Sequence, residues 1–95
     1  MDGPYRIILT PQAVDDIDDI RAWYGQGGPK AKQRVERILA ALRALAENAY
    51  RWPADDRDPA YRMRVVEGHR IRFEIDGARN ALIIHRIRGP WQDLP

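Results

Sequence analysis

Ninety-five residues, 44% of them hydrophobic and 32% charged, make a single domain with one core, because the chain is too short to build two. Cysteine is absent and the net charge is only +2, which excludes a disulfide framework, a thiolate nucleophile and a cysteine zinc site. Apolar runs as short as IIL, ILAAL and ALII cannot span a bilayer, and MDGPYRII lacks the regions of a signal peptide, so no membrane association and a cytosolic location are expected.

In chain order, YRIIL (5–9) is a short β-rich run and the first expected strand. Thr10-Pro11 follows as N-cap and first helical residue. Val14, Ile17, Ile20 and Tyr24 then recur at helical spacing. Asp15, Asp16, Asp18 and Asp19 fall early in this helix, where carboxylates suit the positive end of the dipole. That account makes a metal site at DDIDDI unnecessary. GQGGP (25–29) breaks the helix. A longer one is expected from Pro29 to about Ala49, with Val35, Ile38, Leu39, Leu42, Leu45 and Ala46 as its apolar stripe. Two helices joined by so short a link should form an antiparallel hairpin. The prolines and acids of 48–60 predict a loop, and strands are expected at about 61–66, 69–75 and 81–88.

The turn between the first two of these strands sets which side chains share a face. A two-residue loop at Glu67-Gly68 would pair Arg64 with Ile71 and mix charge into the apolar face. A three-residue loop, Val66-Glu67-Gly68, pairs Arg64 with Arg70 and keeps the faces separate, with Gly68 in the left-handed position. The second register is therefore expected. Tyr61, Met63, Val65, Ile71, Phe73 and Ile75 then face the helices, and Arg62, Arg64, Arg70 and Arg72 face outward with Arg86 and Arg88 of the last strand. The domain is α+β, in the order β-α-α-β-β-β, with the helical hairpin on one face of a small antiparallel sheet.

Charge follows the same division. Residues 1–60 hold nine Lys/Arg against ten Asp/Glu, whereas 61–95 hold seven Arg and no Lys against four acids. Guanidinium groups suit bidentate contacts to phosphate or carboxylate, and Glu74 alone cannot balance six of them. A polyanion, either a nucleic-acid backbone or an acidic protein segment, is the implied partner. Trp91, close to this face, could stack on a base, or the GPWQDLP tail could cover a sheet edge. Of the two histidines, His85 has a suitable intrinsic pKa for proton transfer, but strand alternation places it opposite Arg86 and Arg88. His69 falls on the apolar side at the hairpin end. Two histidines are too few for a convincing metal cluster, and no cofactor is implied.

The chain resembles the RelE/ParE superfamily, the toxin half of bacterial type II toxin–antitoxin systems. The likeness rests on LTPQAVDDIDDI after the first strand, on YRMRVVEGHRIRFEID and on the closing IIHRIRGPWQDLP, in that order along essentially the whole chain. The resemblance implies a single toxin domain over 1–95 and a cognate antitoxin as partner. Its target would be the ribosome with its mRNA, cleaved in the A site as RelE-like members do, or DNA gyrase, inhibited without catalysis as ParE-like members do. On the RelE-like side, Arg62, Arg64, Arg70 and Arg88 match the basic residues that hold the phosphate and assist catalysis. Arg72, Arg86 and Trp91 are expected as binding contacts from their place on or near the same face. That reaction also needs a proton acceptor and donor. Pro90, Trp91, Gln92 and Asp93 stand where RelE-like tails often carry a tyrosine or histidine, leaving His85, and more distantly Asp93, as candidates. The hairpin leans towards RelE and the tail towards ParE.

Overall fold

The computed structural model describes residues 4–90. Its elements are β1 (Arg6–Leu9), α1 (Pro11–Tyr24), α2 (Gly28–Asn48), β2 (Arg62–Val66), β3 (His69–Asp76) and β4 (Ala81–Arg88). This is the expected order, with the two helices on one face of the sheet. The sheet runs β1-β4-β3-β2. The last three strands form the antiparallel meander, whereas β1 joins parallel to β4, with Arg6 beside Ala81 and Leu9 beside Ile84. The sheet is therefore mixed, and β4 is a central strand. Parallel neighbours require a crossover connection, here the helical hairpin and the meander together.

Local chemistry explains the boundaries. The Thr10 hydroxyl oxygen accepts from the Ala13 amide at 3.1 Å, and Pro11 starts the helix where its missing N–H costs nothing. Gly28 opens α2 at a φ of +80°, a conformation that suits glycine. After β3, the Asp76 side chain accepts from the Arg79 amide at 3.2 Å and closes the turn into β4. The core lies between helices and sheet: Ile20, Ile38 and Leu45 from above meet Ile71, Phe73, Leu82, Ile84 and Ile87 from below.

The antiparallel sheet expected from the sequence is made mixed by the parallel β1, and two further expectations fail here. In α1 the buried side holds Ala13, Asp16 and Ile20, while Val14 is exposed. The register of the β2–β3 hairpin also differs. Val66 pairs with His69, Val65 with Arg70, Arg64 with Ile71 and Met63 with Arg72, so the loop has two residues. Glu67 and Gly68 both take positive φ, 51° and 73°, the primed-turn geometry whose twist matches the strands it joins. Turn geometry thus outweighed the separation of apolar from charged side chains. Met63, Val65 and Tyr61 leave the helix side, and Arg62 and Arg64 enter it.

Candidate cationic site on the open sheet face

The new register splits the expected arginine quartet. Arg62 and Arg64 turn towards the helices, where their aliphatic stems pack and their heads reach main-chain oxygens. Arg64 donates through Nη1 to the Ala41 carbonyl at 3.0 Å and sits 4.5 Å above the Trp52 ring. Arg62 donates to the Trp52 carbonyl at 2.6 Å and lies 5.1 Å from the Tyr50 ring. Both are held at the β2 side of the core, away from Arg70 and Arg88.

The open face instead carries two like-charge pairs between β3 and β4: Arg70 opposite Arg88, and Arg72 opposite Arg86. With Arg57 and Asp55 from the loop before β2, they line a cleft of about 350 Å³. Directly opposed like charges destabilise a sheet, and counter-charges are placed accordingly. Asp55 lies 3.5 Å from Arg72, whose guanidinium also stacks 4.1 Å from the Tyr61 ring. Arg86 is gripped by Asp16 of α1, Nε to Oδ2 at 2.9 Å and Nη2 to Oδ1 at 3.1 Å. The hydrogen bonds that Arg86 donates to the buried Asp16 carboxylate raise its pKa above the ordinary guanidinium value.

Asp16 is buried while its acidic neighbours Asp15, Asp18 and Asp19 are exposed. Its signal lay in the spacing: positions 13, 16, 17, 20 and 24 form the half of α1 that is buried or partly buried, and Asp16 is the acid among them.

A bulge re-aims His85. Arg72 pairs with Arg86 but the next residue, Phe73, pairs with Ile84, so His85 is extra and the alternation that would place it under the helices is broken. The His85 carbonyl accepts from the Thr10 hydroxyl at 3.0 Å. Its ring lies on the open face, with Nε2 2.7 Å from Glu74 Oε1 and edge-to-face against Tyr61 at 4.9 Å. Tyr61, Arg72, His85 and Arg86 border a second hollow of about 280 Å³ with Gln12. A carboxylate-oriented imidazole beside two guanidiniums is an arrangement suited to proton transfer near an anion. The expectation that His85 lies opposite Arg86 is corrected by this bulge.

His69, by contrast, is fully buried on the helix side, its Nδ1 2.8 Å from the Glu67 carbonyl. Burial lowers its pKa below the usual imidazole value. Glu67, at the turn, pairs with Arg37 and Arg34 of α2, and the hydrogen bond from Arg37 holds its carboxyl below the usual carboxylate range. Among the described residues no group of three metal-ligating side chains converges, and no helix is long and apolar enough to cross a membrane. Trp91 and Asp93 lie outside the described residues.

Residues 7–90 match the family model described as the ParE toxin of the type II toxin–antitoxin system parDE. Among curated protein sequences none matches. Of solved structures, a chain from the chromosomal ParDE toxin–antitoxin system of P. aeruginosa superposes with a TM-score of 0.73 at 23% identity, over 90% of this chain and 95% of that one. A chain of the RelBE2 toxin–antitoxin complex from Mycobacterium tuberculosis gives 0.63 at 19% identity, over 92% and 99%. At these identities the structural likeness concerns the fold.

Proposed function

The chain belongs to the ParE toxin family of type II toxin–antitoxin systems, and from that premise we propose that it arrests growth by binding DNA gyrase, held in check by a cognate antitoxin. The observation that carries this reading is the dispersal of the arginine quartet. Arg62 and Arg64, which a RelE-like nuclease site would need beside Arg70 and Arg88, are bound to the Trp52 and Ala41 carbonyls on the other side of the sheet. A gyrase inhibitor needs a complementary surface and no acid–base pair, so their absence from the open face is no obstacle to it.

One observation favours the alternative, ribosome-dependent mRNA cleavage. The His85–Glu74 pair stands between Tyr61 and Arg86 on the open face, supplying the proton-transfer group that arginines lack. The two readings separate in parallel assays on purified protein. Loss of gyrase supercoiling, with mRNA intact on translating ribosomes, supports the proposed target. Cuts within A-site codons that vanish in His85→Ala, with gyrase unaffected, overturn it in favour of the nuclease.

A further inference from the structure

The loop before β2 does something that neither reading of the target uses. It lies along the outer edge of the sheet like a short added strand. The Met63 amide donates to the Pro53 carbonyl at 3.2 Å, the Asp55 amide donates to the Tyr61 carbonyl at 2.8 Å, and Ala54 bridges Arg62 antiparallel. From that position Asp55 turns its carboxylate inward to Arg72 at 3.5 Å, while Oδ1 accepts from the Arg57 amide at 2.9 Å. The Asp55 side chain is only 14% exposed.

The cleft that receives it is lined by five guanidinium groups, from Arg57, Arg70, Arg72, Arg86 and Arg88, with Asp55 as the carboxylate among its lining residues, while Asp16 holds Arg86 from α1. The cleft shares Asp55, Arg57, Met63 and Arg70 with a neighbouring trough of about 620 Å³, which Pro53, Ala54, Asp56 and Val65 complete. Val65 is 61% exposed there. The groove therefore has a cationic end, a second end where Pro53, Ala54, Met63 and Val65 stand beside Asp56, and, alongside, the sheet edge on which residues 53–55 lie.

We propose that this groove is the docking site for an extended segment of the antitoxin that alternates acidic and apolar side chains, and that Asp55 is a built-in stand-in for the partner's carboxylate. Resting on the toxin–antitoxin reading, this adds the chemistry of the segment and the residue it displaces. Acidic side chains enter the arginine end, apolar ones cover Met63 and Val65, and the incoming carboxylate replaces Asp55 on Arg72. A nucleic acid fits less well. Its phosphates would suit the arginines, but its bases would meet Pro53, Ala54, Met63 and Val65 with Asp56 beside them, and the Tyr61 ring is already covered by Arg72, whereas single-strand binders offer open aromatic faces.

Fluorescence anisotropy with a short labelled peptide of alternating leucine and glutamate tests this on the intact protein. Asp55→Asn removes the internal competitor and should tighten binding roughly two- to fivefold, the range of a partly exposed ion pair. Reversing Arg70 and Arg88 together to glutamate should weaken it by about tenfold or more. Val65→Asp should weaken it from the apolar end, with circular dichroism confirming the fold of each variant. Affinity indifferent to Asp55→Asn and to the arginine reversals overturns the proposal. So does tighter binding of a labelled single-stranded oligonucleotide that Val65→Asp leaves unchanged. Growth arrest on expression is scored separately. Arrest without groove-dependent peptide binding removes this inference and leaves the toxin reading standing, and Asp55-sensitive binding without arrest does the reverse.

Discussion

Asp16 and Arg86 meet across 70 positions of sequence, carboxylate to guanidinium in a two-pronged contact of 2.9 and 3.1 Å, and the same carboxylate takes the Ile87 amide at 2.8 Å. The reason lies in the length of β1. Its pairing with β4 stops at Leu9 and Ile84, so beyond that point the edge of β4 faces α1 in place of a strand. Asp16 supplies the acceptor that a longer β1 would have provided. Asp16→Ala leaves the Ile87 amide without its acceptor beside a guanidinium that is 37% exposed, and should cost about 1–3 kcal/mol. Arg86→Ala leaves a carboxylate 3% exposed without its counter-charge and should cost about 3–5 kcal/mol, a large part of the total stability of about 5–15 kcal/mol usual for a domain. Urea unfolding measures it. A loss under about 1 kcal/mol in both variants would show that the pair is peripheral to stability.

Arg64 belongs to the structure before it belongs to any target. Arg64→Ala forfeits the bond to the Ala41 carbonyl and the stacking on Trp52, and should lower stability by about 1–3 kcal/mol. Reduced toxicity in this variant should therefore track reduced folded protein, which thermal melts and expression levels together will show. Full stability with lost activity would instead place Arg64 at the target.

The hairpin turn depends on Gly68 for its backbone. At a φ of 73° a Cβ would meet only the Pro90 ring, at 3.6 and 3.8 Å, an ordinary contact, so the cost of Gly68→Ala is conformational and should be about 1–2 kcal/mol. The position before it holds a glutamate at a φ of 51°, kept there by Arg34 and Arg37. Glu67→Gln keeps the backbone and removes the ion pairs, so any drop in melting temperature in that variant should shrink as salt is added.

Two groups with lowered pKa contribute to the pH response of folding in separate windows. His69 has a folded-state pKa below its unfolded value, because burial opposes the charged ring. The unfolded chain then binds the extra proton first. The contribution of His69 is complete above the ordinary imidazole pKa of about 6.5 and is lost as pH falls from there towards the folded value. Glu67, also depressed, through Arg37, contributes above the ordinary carboxylate range and loses that contribution at more acid pH. Unfolding midpoints between neutral and mildly acid pH should fall in the wild type and flatten in His69→Phe. An unchanged slope would remove His69 as the cause.

The helices, their start at Thr10, the strand positions and the β-α-α-β-β-β order were legible because each depends on neighbours within a few residues: apolar spacing, a capping hydroxyl, a glycine. What depended on a choice between nearly balanced alternatives was not. The β2–β3 register turned on whether Arg62 and Arg64 could be satisfied beneath the helices, and the Trp52 and Ala41 carbonyls that satisfy them come from chain segments 10 and 23 residues away. His85 changed faces through a single extra residue whose carbonyl is held by Thr10, 75 positions distant. Both errors fall on the candidate site, so the arginine face was foreseen as a feature while only Arg70, Arg72, Arg86 and Arg88 of its expected members belong to it.

The place of β4 at the centre of the sheet has a consequence for when the molecule comes into being. Without residues 81–88, β1 has no strand beside it, β3 loses one neighbour, and Asp16 has neither Arg86 nor Ile87 to hold. The pairing that joins Arg6 to Ala81 also closes most of the chain into one loop, the kind of distant contact that slows folding. A chain still threading through the ribosome, with β4 not yet released, thus has helices but no complete sheet. Any activity that resides in the finished face begins only after β4 has been released, and an antitoxin already present in the cell meets its partner at the moment of assembly.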